Sequence, residues 1–283
     1  MRILDCTAAL LLPGILCLAP AAHAQQRNAR GLVQSIVNNE LKQDASDHSH
    51  WMFRDANKVH GKSTVKLVVQ TAEGAVKKTI QINGHALSPQ QREADRQSMH
   101  SFVTDPAVRQ KQKKEGQHDD SQAAALTKML PQAFHWKVIA VHGDDTTVAF
   151  RPDSKFSPPT RASRVFAAME GTMVVNTRQK RIQSLQGTLI HDVEFGWFGV
   201  LGKLYKGGTF DVERRDVGHG VWEITETHVH IHGHALIFKT ISEDQDEETS
   251  HYKPSPAGIT LQQAEKMLNN GEVARQLGLA PEK

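Results

Sequence analysis

Four histidines recur at every second position late in the chain: His228, His230, His232 and His234. In one unbroken strand all four side chains point to the same side, and several imidazoles together can hold zinc or copper. Gly233 argues against that arrangement. If His232-Gly233 is a two-residue hairpin turn, Ile231 pairs with His234, and His228 and His230 fall on the opposite face from His234. The reading preferred from sequence is therefore a polar strand face with no metal and no cofactor, and a metal site on these histidines is the alternative. His48 and His50 form a second, shorter pair in a polar segment. Glu170, Asp192 and Glu194 lie on or beside strands with no nucleophile or base pattern near them. The chain has no His-Glu-x-x-His, no Gly-x-Ser-x-Gly and no spaced acid pair that would indicate a hydrolase, so no catalytic residue is assigned and no enzyme is expected.

A different chemistry is suggested between Phe195 and Phe210. Phe195, Trp197, Phe198, Val200, Leu201, Leu204, Tyr205 and Phe210 are interleaved with Gly196, Gly199 and Gly202. Glycine lets backbones approach closely, and an apolar segment of this size must be buried or covered by a ligand. Gly202-Lys203 is followed by Leu204, where a phosphate-binding loop needs Ser or Thr. Phe195, Trp197, Phe198, Leu201, Leu204 and Phe210 are the candidate lining of an apolar site. Ordinary core packing beneath a bent strand connection is the plainer account of the same residues.

Composition bounds what these groups can serve. The chain has 283 residues and a net charge of +3, which gives no reason to propose nucleic acid. Arg2, the apolar run Thr7 to Leu18 and Ala22-His23-Ala24 read as a signal peptide cleaved after Ala24, so the expected product is exported to the periplasm. That run is too short to span a bilayer and is interrupted by Pro13-Gly14. Leu16 precedes Cys17, which disfavours a lipid anchor. The chain's two cysteines, Cys6 and Cys17, lie in the removed part, so the mature protein is expected to hold no disulfide and no thiolate.

The elements that must position these residues can be read in order. Leu32, Val33, Ile36, Val37 and Leu41 predict an amphipathic helix over Ala29 to Lys42. Strands are predicted at Trp51 to Arg54, Thr64 to Gln70 and Val76 to Ile82, the last two joined by a hairpin turn and the third ended by Asn83-Gly84. Ser88, Pro89 and Gln91 form a helix start with a capping box. From there to Pro131 two or three surface helices are expected, separated at Gly116 to Asp120, with the basic run Arg109 to Lys114 as a solvated face. Strands resume with Phe134 to Ala140, Thr146 to Phe150, Met169 to Val175 and a long Arg181 to Phe195, where Gly187 suggests a bulge or bend. Gly208 to Arg214, Val221 to Ile231 and His234 to Ile241 follow. Thr260 and Gln263 open a closing helix that stops near Gly271. Short turns between successive strands imply an antiparallel meander, hence an α+β fold class.

The order Phe166 to Asn176, Ile182 to Phe195, Gly202 to Phe210, Val221 to Ile224 and Gly233 to Phe238 resembles the outer-membrane lipoprotein-sorting superfamily, the LolA/LolB-like and RseB-like periplasmic proteins. Trp51 to Arg54 fits the first strand of such proteins. The resemblance covers about two-thirds of the expected mature chain and contains no catalytic signature. It implies one domain over residues 25–283, built as a strongly curved antiparallel half-barrel on helices; the helical insertion at about 87–131 departs from a minimal carrier of that kind. It also implies an apolar hollow that accepts the acyl chain of a lipid or lipoprotein, with peripheral membrane contact. An RseB-like sensor or scaffold binding another envelope protein is the further alternative.

Overall fold

The computed structural model describes residues 19–195, 202–235 and 239–279. Among them, six helices and thirteen strands alternate in an α+β arrangement, and all thirteen strands belong to one antiparallel sheet. Its order is β4-β3-β2-β1-β13-β12-β11-β8-β7-β6-β5, with β10 added to β12 and β9 added to β10. The N-terminal strands are β1 (Trp51–Val59), β2 (Lys62–Thr71), β3 (Gly74–Ile82) and β4 (His85–Ala86). The central group is β5 (Phe134–His142), β6 (Asp145–Pro152), β7 (Met169–Asn176) and β8 (Arg181–Leu189). Then come β9 (Val193–Phe195), β10 (Gly202–Leu204), β11 (Thr209–Gly218), β12 (Val221–Ala235) and β13 (Lys239–Pro254). Strands β4 and β5 end the path, so the sheet is open.

Two cores stabilise it, one at each end of the sheet. Helix α1 (Ala19–Ser46) extends the predicted helix at both ends. It buries Ala29, Val33, Ile36 and Val37 against Phe134, Trp136, Phe150, Met173 and Leu189 of the central strands. The second core sits under α2 (Pro89–Thr104), α5 (Leu261–Asn269) and α6 (Glu272–Gln276), where Met99, Phe102, Leu261 and Leu268 meet Met52, Leu67, Val69 and Val76. Cross-strand register puts the two cores on opposite faces. Phe210, Val229 and Gln245 share α1's side, and Asp211, His228, Asp246 and Lys58 share the side of Met52 and Leu67. No helix among the described residues is long and apolar enough to cross a membrane.

Both capping boxes form: Ser88 with Gln91, and Thr260 with Gln263. Several boundaries differ from expectation. Helix α3 (Pro106–Ala133) runs unbroken through Gly116 to Asp120. The break comes earlier, at Asp105, whose side chain accepts from the Ala107 N–H while Pro106 occupies the first turn. Gly116 has open space around it, and a single solvent-facing glycine costs a helix only about 1 kcal/mol. Helix α4 (Arg161–Phe166) adds to the expected elements, and Thr160 and Ser163 form its capping box. The expected long strand to Phe195 is two strands, because the chain leaves the β7 ladder after Leu189. Gly187 makes no bulge: its register with Gly171 and Phe210 is continuous. A Cβ there would stand 2.6 Å from the Phe210 ring, so the glycine makes room for that ring.

Candidate functional site

The candidate apolar residues are organised by a small hairpin laid on the end of β12. Phe195 of β9 pairs with Gly202 of β10, Lys203 with His234, and Leu204 with Gly233. The predicted turn at His232-Gly233 is therefore absent, and β12 runs straight through both residues to Ala235. Gly233 serves close approach instead of reversal. A Cβ on it would lie 2.2 Å from the Lys203 carbonyl oxygen and 2.8 Å from Leu204 Cδ2, so only glycine lets β10 dock there.

Polar contacts pin the hairpin. The Tyr205 N–H donates to the His232 carbonyl at 2.8 Å, and the Lys206 N–H donates to Asp192 Oδ1 at 2.7 Å. Lys203 Nζ reaches Asp192 Oδ2 at 2.7 Å and Glu194 Oε1 at 3.5 Å. Hydrogen bonding from Lys203 holds the Asp192 carboxyl below its ordinary range, and Asp192 in turn raises the Lys203 ammonium. The Arg164 guanidinium sits 6.0 Å from the Phe195 ring centroid and donates to the Glu194 carbonyl at 3.3 Å.

Phe195, Leu204 and Phe210, with Ile231, pack as a partly exposed edge of the core beneath α1. Phe210 lies over Gly187, near Phe150. Thus three of the six predicted lining residues are brought to one edge, and Trp197, Phe198 and Leu201 lie outside the described residues. They belong to the connection between the paired Phe195 and Gly202.

The histidines are gathered rather than divided. His228 Nδ1 lies 2.8 Å from Asp246 Oδ1, and His230 Nδ1 lies 2.6 Å from Asp244 Oδ1. His230 Nε2 is also 3.3 Å from Asp246 Oδ1. The hydrogen bond to Asp246 raises the His228 imidazole above its ordinary value and lowers Asp246. His234 Nδ1 meets the Tyr205 hydroxyl at 3.0 Å, and His232 is exposed. A shallow cleft of about 460 Å³ beside His228 is bordered by Asp211, Gln186, Thr172 and Phe210.

A second polar group went unread in the sequence. On α1's side of the sheet, Asp55 is 8 % exposed, and burial raises its carboxyl despite Lys66, Lys77 and Arg54 nearby. Burial likewise raises Glu247 and Glu223, and pushes the Tyr252 phenol up. Nothing local marks Asp55 as buried; β2 and β3 bring Lys66 and Lys77 near it, and β13, whose acidic stretch past Ile241 gives no strand signal, sets Thr249 opposite it.

No protein-family model, no curated protein and no solved structure matches this chain.

Proposed function

We propose that this is a non-enzymatic periplasmic protein, exported with cleavage after Ala24, that binds an apolar ligand, the acyl chain of a lipid or lipoprotein. On this reading the sheet acts as a LolA-like half-barrel. Phe195, Leu204 and Phe210, together with Trp197, Phe198 and Leu201, line the place where the chain enters. The observation that carries the proposal is the β9–β10 pair. It joins Phe195 to Gly202, the two ends of the glycine-punctuated sequence 196–201, and the hairpin's own Phe195 and Leu204 share a partly exposed edge with Phe210 and Ile231. Burying methylenes supplies the driving force, about 0.8 kcal/mol for each CH2 removed from water. Such an edge binds without a nucleophile, in keeping with a carrier or handler of lipids rather than a hydrolase.

The test is titration of delipidated mature protein with a fluorescent long-chain fatty acid. Saturable binding is expected, weakened by Leu204→Asp because the new carboxylate must be desolvated without a partner, while circular dichroism still reports a folded sheet. Binding unchanged by Leu204→Asp would remove this edge as the site.

A further inference from the structure

We propose that His228, His230 and Asp246 form a binding site for a borderline divalent metal ion, Zn2+ or Cu2+, on the face of the sheet opposite α1. The argument begins with strand geometry. Residues two apart on a strand stand about 6.6 Å from each other on one face, and cross-strand partners stand about 5 Å apart. Two imidazoles on β12 therefore straddle a carboxylate on β13 when the register is right. Here His228 pairs with Asp246 and His230 with Asp244. The result is one oxygen, Asp246 Oδ1, held 2.8 Å from His228 Nδ1 and 3.3 Å from His230 Nε2. Ligands bonded at about 2.0–2.1 Å to one zinc or copper ion, in tetrahedral or square geometry, stand about 2.9–3.4 Å from each other. Both nitrogen–oxygen spacings fall at or close to that range.

The outer contacts fit the same reading. A metal-bound histidine commonly donates its other ring N–H to a carboxylate, which fixes the tautomer. His230 Nδ1 has Asp244 Oδ1 at 2.6 Å, within hydrogen-bond reach, whereas Glu226 Oε2, 3.9 Å from His228 Nε2, is near enough for an ion pair and too far for a hydrogen bond. Ion pairing alone needs one carboxylate for each imidazole; these two imidazoles share one and have a further one each. On β11, Asp211 stands opposite His228, and its buried Oδ1 has no hydrogen-bond partner among the described residues, so a fourth donor, an oxygen, flanks the site. His228, His230 and Asp246 are each about two-fifths to one-third exposed, open to an ion arriving from solvent.

Among the described residues no three His, Asp or Glu side chains already surround a point that a metal ion could occupy. Loading therefore requires the two rings to turn from their present contacts with Asp246. His228 then carries its proton on Nε2, toward Glu226, and His230 carries its proton on Nδ1, toward Asp244. The nitrogens and the shared oxygen turn onto the ion.

The experiment uses tag-free mature protein stripped with a chelator and titrated with Zn2+ or Cu2+ alone against a chromophoric competitor. One ion per chain is expected. His228→Ala, His230→Ala and Asp246→Asn should each weaken it at least tenfold, and Asp244→Asn should weaken it about tenfold or more through the outer contact. His234→Ala and the His48→Ala/His50→Ala pair should leave affinity unchanged. With Cu2+, electron paramagnetic resonance should show two coupled imidazole nitrogens, falling to one in either histidine variant. Wild type binding no more tightly than the His228→Ala/His230→Ala double variant, with both folded by circular dichroism, would overturn the proposal. So would affinity that follows His234 or His48 and His50. Lipid uptake plays no part in any of these readouts.

Discussion

Replacing Glu40 should cost far more stability than breaking an exposed ion pair. Glu40 lies on the buried stripe of α1, one turn beyond Ile36 and Val37, and is 1 % exposed. Its Oε1 accepts from the Ile182 N–H at 2.5 Å and from Arg181 Nε at 3.2 Å. Its Oε2 takes Arg181 Nη2 at 3.0 Å and Arg214 Nη1 at 2.5 Å. One carboxylate thus clasps α1 to β8 and β11. Arg181 is itself 5 % exposed, and its other acid, Asp44, is 3.8 Å away and mostly solvated. Glu40→Ala leaves the Arg181 guanidinium buried without its main counter-charge, a change that costs about 3–5 kcal/mol. Urea unfolding of the mature protein followed by circular dichroism measures it as a fall in midpoint at unchanged slope. Glu40→Met/Arg181→Met should cost less than Glu40→Met alone, because the second change removes the stranded charge. A Glu40→Ala loss below about 1 kcal/mol, the range of an exposed ion pair, would refute the clasp.

Three further outcomes are expected. Gly233→Ala should loosen β10 from β12, costing about 1–3 kcal/mol as overpacking does, and hydrogen exchange should lose protection at the Tyr205 amide while the core under α1 keeps its own. Burial raises the Asp55 carboxyl in the folded state, so its contribution to stability is fully present below its unfolded pKa of about 3.9 and is lost as pH rises through the folded value. Asp55→Asn should therefore stabilise the protein at pH 7 and make little difference at pH 3, by urea midpoint; a loss at pH 7 would contradict this. N-terminal sequencing of the exported product should begin at Gln25, which leaves Ala29, Val33, Ile36 and Val37 in α1 to hold the core; a product retaining Met1 would count against export.

What could be read in advance was local and periodic. The apolar spacing of α1, the alternation in β5 to β7 and both capping boxes needed only neighbouring residues, and they form. The Ala72 to Gly74 turn and the Asn83-Gly84 turn, where Asn83 and Gly84 take positive φ, were legible for the same reason. The errors came where distant strands decide. Strand β13 is rich in Asp and Glu, residues depleted in strands, yet it forms because β12 and β1 pair with it on both sides. In sequence Gly233 suggests a turn and Gly187 a bulge or bend. Each instead accommodates a neighbour that arrives from elsewhere in the chain, the Lys203 backbone in one case and the Phe210 ring in the other. The same gap hid the acidic partners of the histidines. Without β13, nothing placed Asp244 and Asp246 opposite His230 and His228.

The central claim is that this molecule carries an apolar chain at the edge formed by Phe195, Leu204 and Phe210. Native mass spectrometry of the mature protein, purified without detergent from its own envelope, tests it most directly. The expected result is a lipid or acyl adduct at one per chain, removed by delipidation, restored by adding a long-chain fatty acid and lost in Leu204→Asp. Wild type that carries no lipid from the envelope, and takes up none when it is offered, would contradict the claim.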